Sequence, residues 1–226
     1  MYDNYFYDSL KGYSQRSAGV LIPLLIGKYK PRSVIDFGCG SGEFLVECQR
    51  NSVETFLGIE GDWLTEYTAK DWIQTADLSQ PVLLKTKFDL ALCLEVAEHL
   101  PQSAANTLIK SLTDAADVIA FSAAIPGQGG TNHINEQYPD YWAKLMFDFG
   151  FELDWDPRHL IWNDRTIAPW YRQNLLVFRK VALISKEPIF PKTLKHPEIF
   201  SEHQNTIFRI MLTMSKVKSQ IKKFLK

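Results

Sequence analysis

The chain has 226 residues, with 25 Lys plus Arg against 26 Asp plus Glu and a formal net charge of −1; 46% is hydrophobic and 13% aromatic. This composition excludes a disordered, collagen-like or disulfide-scaffold chain. The near-zero charge argues against a dedicated nucleic-acid binder, which carries a basic excess. The average hides an asymmetry. Residues 207–226 hold six basic groups (Arg209, Lys216, Lys218, Lys222, Lys223, Lys226) and no acid, so the first 206 residues hold 19 basic and 26 acidic groups, a net charge of −7.

In chain order, residues 15–29 read as a helix ending before Lys30-Pro31, and the whole of 1–30 as a helical cap. Ser33–Phe37 is a short apolar run typical of a buried strand, broken by Gly38-Cys-Gly-Ser-Gly42. A helix is predicted over 43–50, a strand over 55–60 and a helix over 62–70. Phe88–Leu94 is the third clear strand, followed by a helix over 101–116 and a strand over 117–122. A polar loop with three glycines runs from 126 to 137. A helix over 138–149 ends at Gly150, a suitable C-cap. Late strands follow at 151–155 and 174–178. Strands separated by helices imply a parallel sheet covered on both faces. Pro188, Pro191 and Pro197 mark a linker. One domain is therefore expected over 1–187, with 188–226 as a linker and a basic helix.

The strongest motif is Val34-Ile-Asp-Phe-Gly-Cys-Gly-Ser-Gly42. A strand runs into a glycine turn and then a helix, so backbone can approach a ligand and free N–H groups face it. Glu60 closes the second strand, 22 residues after Gly38, where an acid can accept both hydroxyls of a ribose. Asp77 follows at a loop, and Glu95 and Glu98 follow the third clear strand. Each alone could be a solvated surface carboxylate. Together they face one crevice at the carboxyl ends of the strands, where open α/β sheets bind ligands.

A dinucleotide site wants G-x-G-x-x-G, whereas the third glycine here comes one position early. That turn, with Gly58-Ile-Glu-Gly-Asp62, Ala76-Asp-Leu78 and Leu94-Glu-Val-Ala-Glu-His-Leu-Pro101, closely resembles the class I S-adenosylmethionine-dependent methyltransferases over roughly residues 30–155. The resemblance implies a Rossmann-like α/β fold: a seven-stranded, mostly parallel sheet with an antiparallel terminal hairpin, here extended by a C-terminal amphipathic helix. It implies S-adenosylmethionine as cofactor. Asp36, Gly38, Cys39, Gly40 and Gly42 would wrap its methionine end. Glu60 and Gly61 would meet the ribose, Asp62 and Trp63 the adenosine, and Asp77 and Leu78 the adenine. Leu94 and Glu95 would line the floor below the sulfonium.

A hydroxyl acceptor benefits from a general base, often histidine. His99 lies inside Glu-His-Leu-Pro, which the resemblance makes more structural than catalytic. His133 lies in the 126–137 loop, with Asn132, Asn135, Glu136 and Gln137 able to hydrogen-bond a polyhydroxylated substrate. His133, Glu136 and His99 are thus the candidate catalytic residues. The alternative for this loop is a surface connection in which Asn135 caps the next helix. The stretch resembles that of sugar- and secondary-metabolite-modifying methyltransferases, so O-methylation of a glycan or natural product is expected. N- or C-methylation of a metabolite, or a non-catalytic module, stays open. No HxH or ExxH spacing is visible, so no metal ligands are named, and the need for a metal stays open. Aromatics crowd 138–171 as core or acceptor wall, and Tyr2, Tyr5, Phe6, Tyr7 and Tyr13 suit a flap, with Ser14 and Arg16 near the cofactor.

Three cysteines without a paired spacing suit a reducing cytoplasm. The N-terminus lacks the basic and apolar regions of a signal peptide. Apolar groups at Ile207, Ile210, Met211, Met214, Val217, Ile221, Phe224 and Leu225 make a helical stripe with lysines opposite. Such a helix suits the inner face of an anionic membrane, a second subunit or the protein's own acidic body.

Overall fold

The structure is a computed structural model that describes residues 4–62, 70–183 and 190–199. Helix α1 (Asn4–Tyr29) leads into β1 (Ser33–Phe37), α2 (Glu43–Arg50), β2 (Thr55–Glu60), β3 (Ile73–Thr75) and β4 (Leu90–Leu94). Then come α3 (Ala105–Ala115), β5 (Val118–Ser122), α4 (Pro139–Asp148), β6 (Phe151–Trp155), α5 (Arg158–Ile161), α6 (Pro169–Asn174) and β7 (Leu176–Lys180). The seven strands lie in the order β3-β2-β1-β4-β5-β7-β6. The first five are parallel, and β7 runs antiparallel to both β5 and β6. This is the Rossmann-like sheet with a terminal antiparallel hairpin that the sequence leads one to expect.

The central strands read as continuous apolar runs because both of their faces are covered. Every residue of β4 is buried. On one face Ile35, Phe37 and Phe121 pack under Leu108, Leu112, Trp142 and Met146 of α3 and α4. On the other, Val34, Leu90 and Leu92 pack under Phe44 and Leu45 of α2 and a stripe of α1. That stripe is Ala18, Leu21, Ile22 and Leu25, all at most 1% exposed, at the three- and four-residue spacing of one helix face. Ser17 adds a polar tie, accepting the Ala168 N–H at 3.0 Å.

Several boundaries differ from expectation. Strand β3 is only three residues long and half exposed, too short to leave an alternation. The expected helix over 101–116 opens as a 3₁₀ turn at Gln102–Ala104. Strand β7 starts at Leu176 because residues up to Asn174 close α6. The expected helix over 62–70, apart from its two end residues, and the whole of the basic tail helix lie outside the described residues.

The proline stretch is no loose linker. Pro191 and His196 are buried. The Lys192 carbonyl accepts from Arg158 Nη1 at 3.1 Å, and the His196 N–H donates to Gln173 Oε1 at 2.7 Å. Glu198 pairs with the buried guanidinium of Arg172. Residues 190–199 are thus a strap across the α5–α6 side of the body. Among the described residues, no helix is long and apolar enough to cross a membrane.

Candidate active site

The carboxyl ends of β1, β2, β3 and β4 open into one cavity of about 1330 Å³. That exceeds the roughly 300–1,000 Å³ of a usual ligand pocket and leaves room for two ligands. The glycine turn forms one wall. Gly38, Gly40 and Gly42 all adopt left-handed φ values of 77°, 53° and 83°. A Cβ on Gly38 would stand 2.4 Å from Val96 Cγ2, and one on Gly42 would stand 2.3 Å from the Trp72 ring. Neither position tolerates a side chain. The Gly38 and Cys39 N–H groups donate to the Ile59 carbonyl, which locks the turn onto β2.

Glu60 is 5% exposed. Its Oε2 accepts the Gly40 N–H at 2.7 Å and its Oε1 the Gly61 N–H at 2.8 Å, so the acid braces the turn while facing the cavity. Burial raises its pKa, and the two N–H groups oppose that rise. Burial, then the charges of Glu60 and Glu43, push Asp36 up to about 7. Asp62, Asp77 and Leu78 line the next stretch of wall; Asp77 is exposed and held below its usual range by Ser79. Trp63 lies outside the described residues. Seven carboxylates line the cavity (Asp36, Glu43, Glu60, Asp62, Asp77, Glu95, Glu98), and no Lys or Arg does among the described residues. Such a pocket suits a cation.

Asp36 has a measurable consequence. Its folded pKa stands above the ordinary value of 3.8, so its contribution to stability is fully present below about pH 4 and is lost as the pH rises through about 7. Asp36→Asn is expected to gain stability relative to wild type over that window, by up to about 4 kcal/mol above pH 8. Urea unfolding of both proteins at pH 5 and pH 8 checks this; an equal difference at both pH values would refute it.

The floor is built by β4 and the turn after it. Leu94 is buried, and Glu95 carries a left-handed φ of 57° that turns its side chain out of the strand path. Its carboxylate accepts from Asn174 Nδ2 at 3.0 Å and from Gln128 Nε2 at 3.2 Å. Gln173 Nε2 donates to Gln128 Oε1 at 2.9 Å and so joins the network. Trp170 and Tyr171 of α6 close that side, and Ser14 of α1 also lines the cavity. Gln128, Gln173 and Asn174 were not candidates from the sequence. Their signal is weak, since amides on a short helix and a loop have no fixed spacing to the acid they serve. Arg16 lies over the Tyr13 ring, 4.9 Å from its centroid, and does not line the cavity.

The 126–137 loop folds back over the far end. The Glu98 carbonyl accepts the N–H groups of Ile134 and Asn135 at 2.9 and 3.0 Å. Asn135 is buried and donates to the Ala97 carbonyl at 3.3 Å, so it latches the loop and does not cap α4. Helix α4 instead starts from Tyr138 with Pro139 in its first turn, where a missing N–H costs nothing. His133 and His99 both line the cavity, ring centroids 4.9 Å apart. Burial, then the neighbouring His133, push His99 down to about 4, so its ring is neutral at ordinary pH. Glu136, expected as a catalytic group, stands behind His133 and does not line the cavity. Its Oε1 meets His133 Nδ1 and the Gly129 N–H, at 3.0 and 2.9 Å, and its Oε2 accepts the Gly127 N–H at 2.9 Å. It positions His133. The fold also brings Glu98, His99 and His133 together, with ligand-type atoms within 4.8 Å of one another. No sequence spacing announces that cluster, because the loop latch supplies its third member.

Residues 13–120 match a family model described as a methyltransferase domain. No curated protein matches the chain. Among solved structures, an amino pentose methyltransferase from Micromonospora echinaspora, with S-adenosylmethionine bound, is 12% identical over 80% of this chain and 98% of its own, at a TM-score of 0.59. Streptomyces venezuelae DesVI is 10% identical over 79% and 96%, at 0.57. The magnesium protoporphyrin IX methyltransferase of Synechocystis PCC 6803, with bound S-adenosylhomocysteine, is 21% identical over 80% and 90%, at 0.51. At these identities the likeness establishes the fold.

Proposed function

For a chain whose residues 13–120 match a methyltransferase-domain model, we propose that the cavity holds S-adenosylmethionine and passes its methyl group to an acceptor hydroxyl, on a sugar of a glycan or natural product. One observation carries this reading: a single cavity runs from Glu60 and the glycine turn, lined by acids, to the two imidazoles at His99 and His133. The acid-lined end suits a sulfonium and an ammonium. The far end offers Gln128, Thr131 and Asn132 to a polyhydroxylated acceptor, with Trp170 as an apolar wall.

Methyl transfer is an in-line displacement, and the protein's main contribution is to hold the two reactants in line. The acceptor oxygen forms a bond to the methyl carbon as the carbon–sulfur bond breaks, and S-adenosylhomocysteine leaves. The hydroxyl proton passes to His133 Nε2. Glu136 at Nδ1 fixes the ring orientation and stabilises the imidazolium that forms.

Calorimetry with S-adenosylhomocysteine is expected to give one site per chain, and product mass spectrometry an O-methylated acceptor. His133→Ala is expected to lower turnover about 100-fold while the affinity for S-adenosylhomocysteine stays within about twofold, since His133 sits at the acceptor end. Equal turnover removes His133 from the chemistry. A product methylated on nitrogen or carbon would overturn the hydroxyl assignment.

A further inference from the structure

We infer that Glu98, His99 and His133 form a binding site for a divalent cation of the Mn²⁺, Fe²⁺ or Zn²⁺ type at the acceptor end of the cavity. All three line the cavity. Their ligand-type atoms lie within 4.8 Å of one another. A cation about 2.1 Å from each ligand needs them roughly 3–3.5 Å apart, a contraction that small side-chain rotations supply.

The arrangement is built, not incidental. Glu98 and His99 follow β4, whereas His133 comes from a loop more than thirty residues on. The Glu98 carbonyl itself holds that loop through Ile134 and Asn135. The Glu98 side chain is fully buried, and neither carboxylate oxygen makes a well-formed hydrogen bond, the Glu98 and Ala124 N–H groups only partly offsetting its burial. A buried carboxylate so weakly served by donors is costly, and a cation offsets that cost. Glu95 lies close enough to raise the cost further.

Each imidazole is also held from behind. His133 Nδ1 faces Glu136, whose carboxylate is fixed by the Gly127 and Gly129 N–H groups, so Nε2 is the nitrogen left for a ligand. His99 bonds to the Asn132 backbone. A carboxylate or carbonyl behind each ring is the usual setting of metal-binding histidines. Two nitrogens and one carboxylate oxygen suit Mn²⁺, Fe²⁺, Co²⁺ or Zn²⁺ better than Mg²⁺ or Ca²⁺, which prefer oxygen-only sites. Three protein ligands beside an open cavity leave positions for an outside oxygen.

This deepens the proposed methyl transfer and rests on it for the ion's use. With the ion bound, His133 Nε2 is its ligand and the ion takes over the part of the base: a hydroxyl reaching an open position on the ion would lose its proton more readily, to solvent, and His133 accepts that proton only in the ion-free protein. The same site would select acceptors with two neighbouring oxygens over those with one.

The test uses the full chain, treated with a chelator and then titrated with MnCl₂, following the free-Mn²⁺ resonance signal; ZnCl₂ calorimetry is the second arm. One ion per chain is expected. Glu98→Gln and His133→Ala should each weaken binding at least about 10-fold, with S-adenosylhomocysteine affinity unchanged as evidence of intact folding. Wild type taking up no Mn²⁺ or Zn²⁺ at millimolar concentration, or both variants binding like wild type, overturns the site. Undiminished methyl transfer by chelator-treated enzyme that binds neither ion overturns it while leaving the methyltransferase reading standing. Ion uptake that depends on Glu98 and His133 supports it even in a protein that binds no S-adenosylhomocysteine, which would sink that reading alone.

Discussion

Glu60→Gln is expected to weaken binding of S-adenosylhomocysteine about 100-fold. Two effects add. A carboxylate accepts charge-assisted hydrogen bonds from a ribose, and each such bond contributes about 1.5–3 kcal/mol. The same carboxylate already uses one oxygen for the Gly40 N–H and the other for the Gly61 N–H. A glutamine has one accepting oxygen, so one of those N–H groups would face an amide NH₂ and the turn would lose a brace. A loss of about 2.7 kcal/mol corresponds to a factor of 100. Calorimetry measures the affinity, and a thermal melt reports whether the fold survives. An affinity within about threefold of wild type would mean that Glu60 braces the turn without touching the ligand.

Removing residues 190–226 is expected to lower stability by about 3 kcal/mol more than removing 201–226, which breaks none of the described contacts. The difference lies in the strap. Arg172 is buried, with a side chain 2% exposed, and loses its partner Glu198 and its neighbour His196 in the longer deletion. Arg158 loses the Lys192 carbonyl, and Gln173 loses the His196 N–H. Breaking a buried ion pair costs about 3–5 kcal/mol. The low end applies because Glu198 is 42% exposed. At roughly 2–4 °C per kcal/mol for a chain of this size, the melt should fall by about 10 °C. Equal melts for the two truncations would show the strap to be a passive covering.

The parts of the site that were legible in the sequence are those governed by local rules. A glycine that needs a positive φ announces itself, and Gly38, Gly40 and Gly42 stand after a buried β-rich run. Acids that follow strands read as crevice residues, and Glu60 and Glu95 lie there. What could not be read depends on distant pairings. Strand β3 is too short for a pattern, and its partner β2 supplies the reason it is a strand. Asn135 has the look of a helix cap, yet Ala97 and Glu98 claim the loop. Glu136 sits in a polar loop like its neighbours, and only the folded loop shows it behind His133. Prolines at 188–197 suggest a linker, because burial of His196 is decided by α6. Gln128, Gln173 and Asn174 are chemically ordinary until Glu95 gathers them.

The acid-lined cavity also bears on what happens after the chemistry. Methyl transfer converts a sulfonium into a neutral thioether, and the positive charge leaves with the methyl group or its displaced proton. The carboxylates of Asp36, Glu60 and Glu95 attract the first species electrostatically and the second much less. These acids would therefore add less to the binding of the spent cofactor than to that of the fresh one. On the proposed function, the wall that would recruit the methyl donor would thus favour it over its spent form.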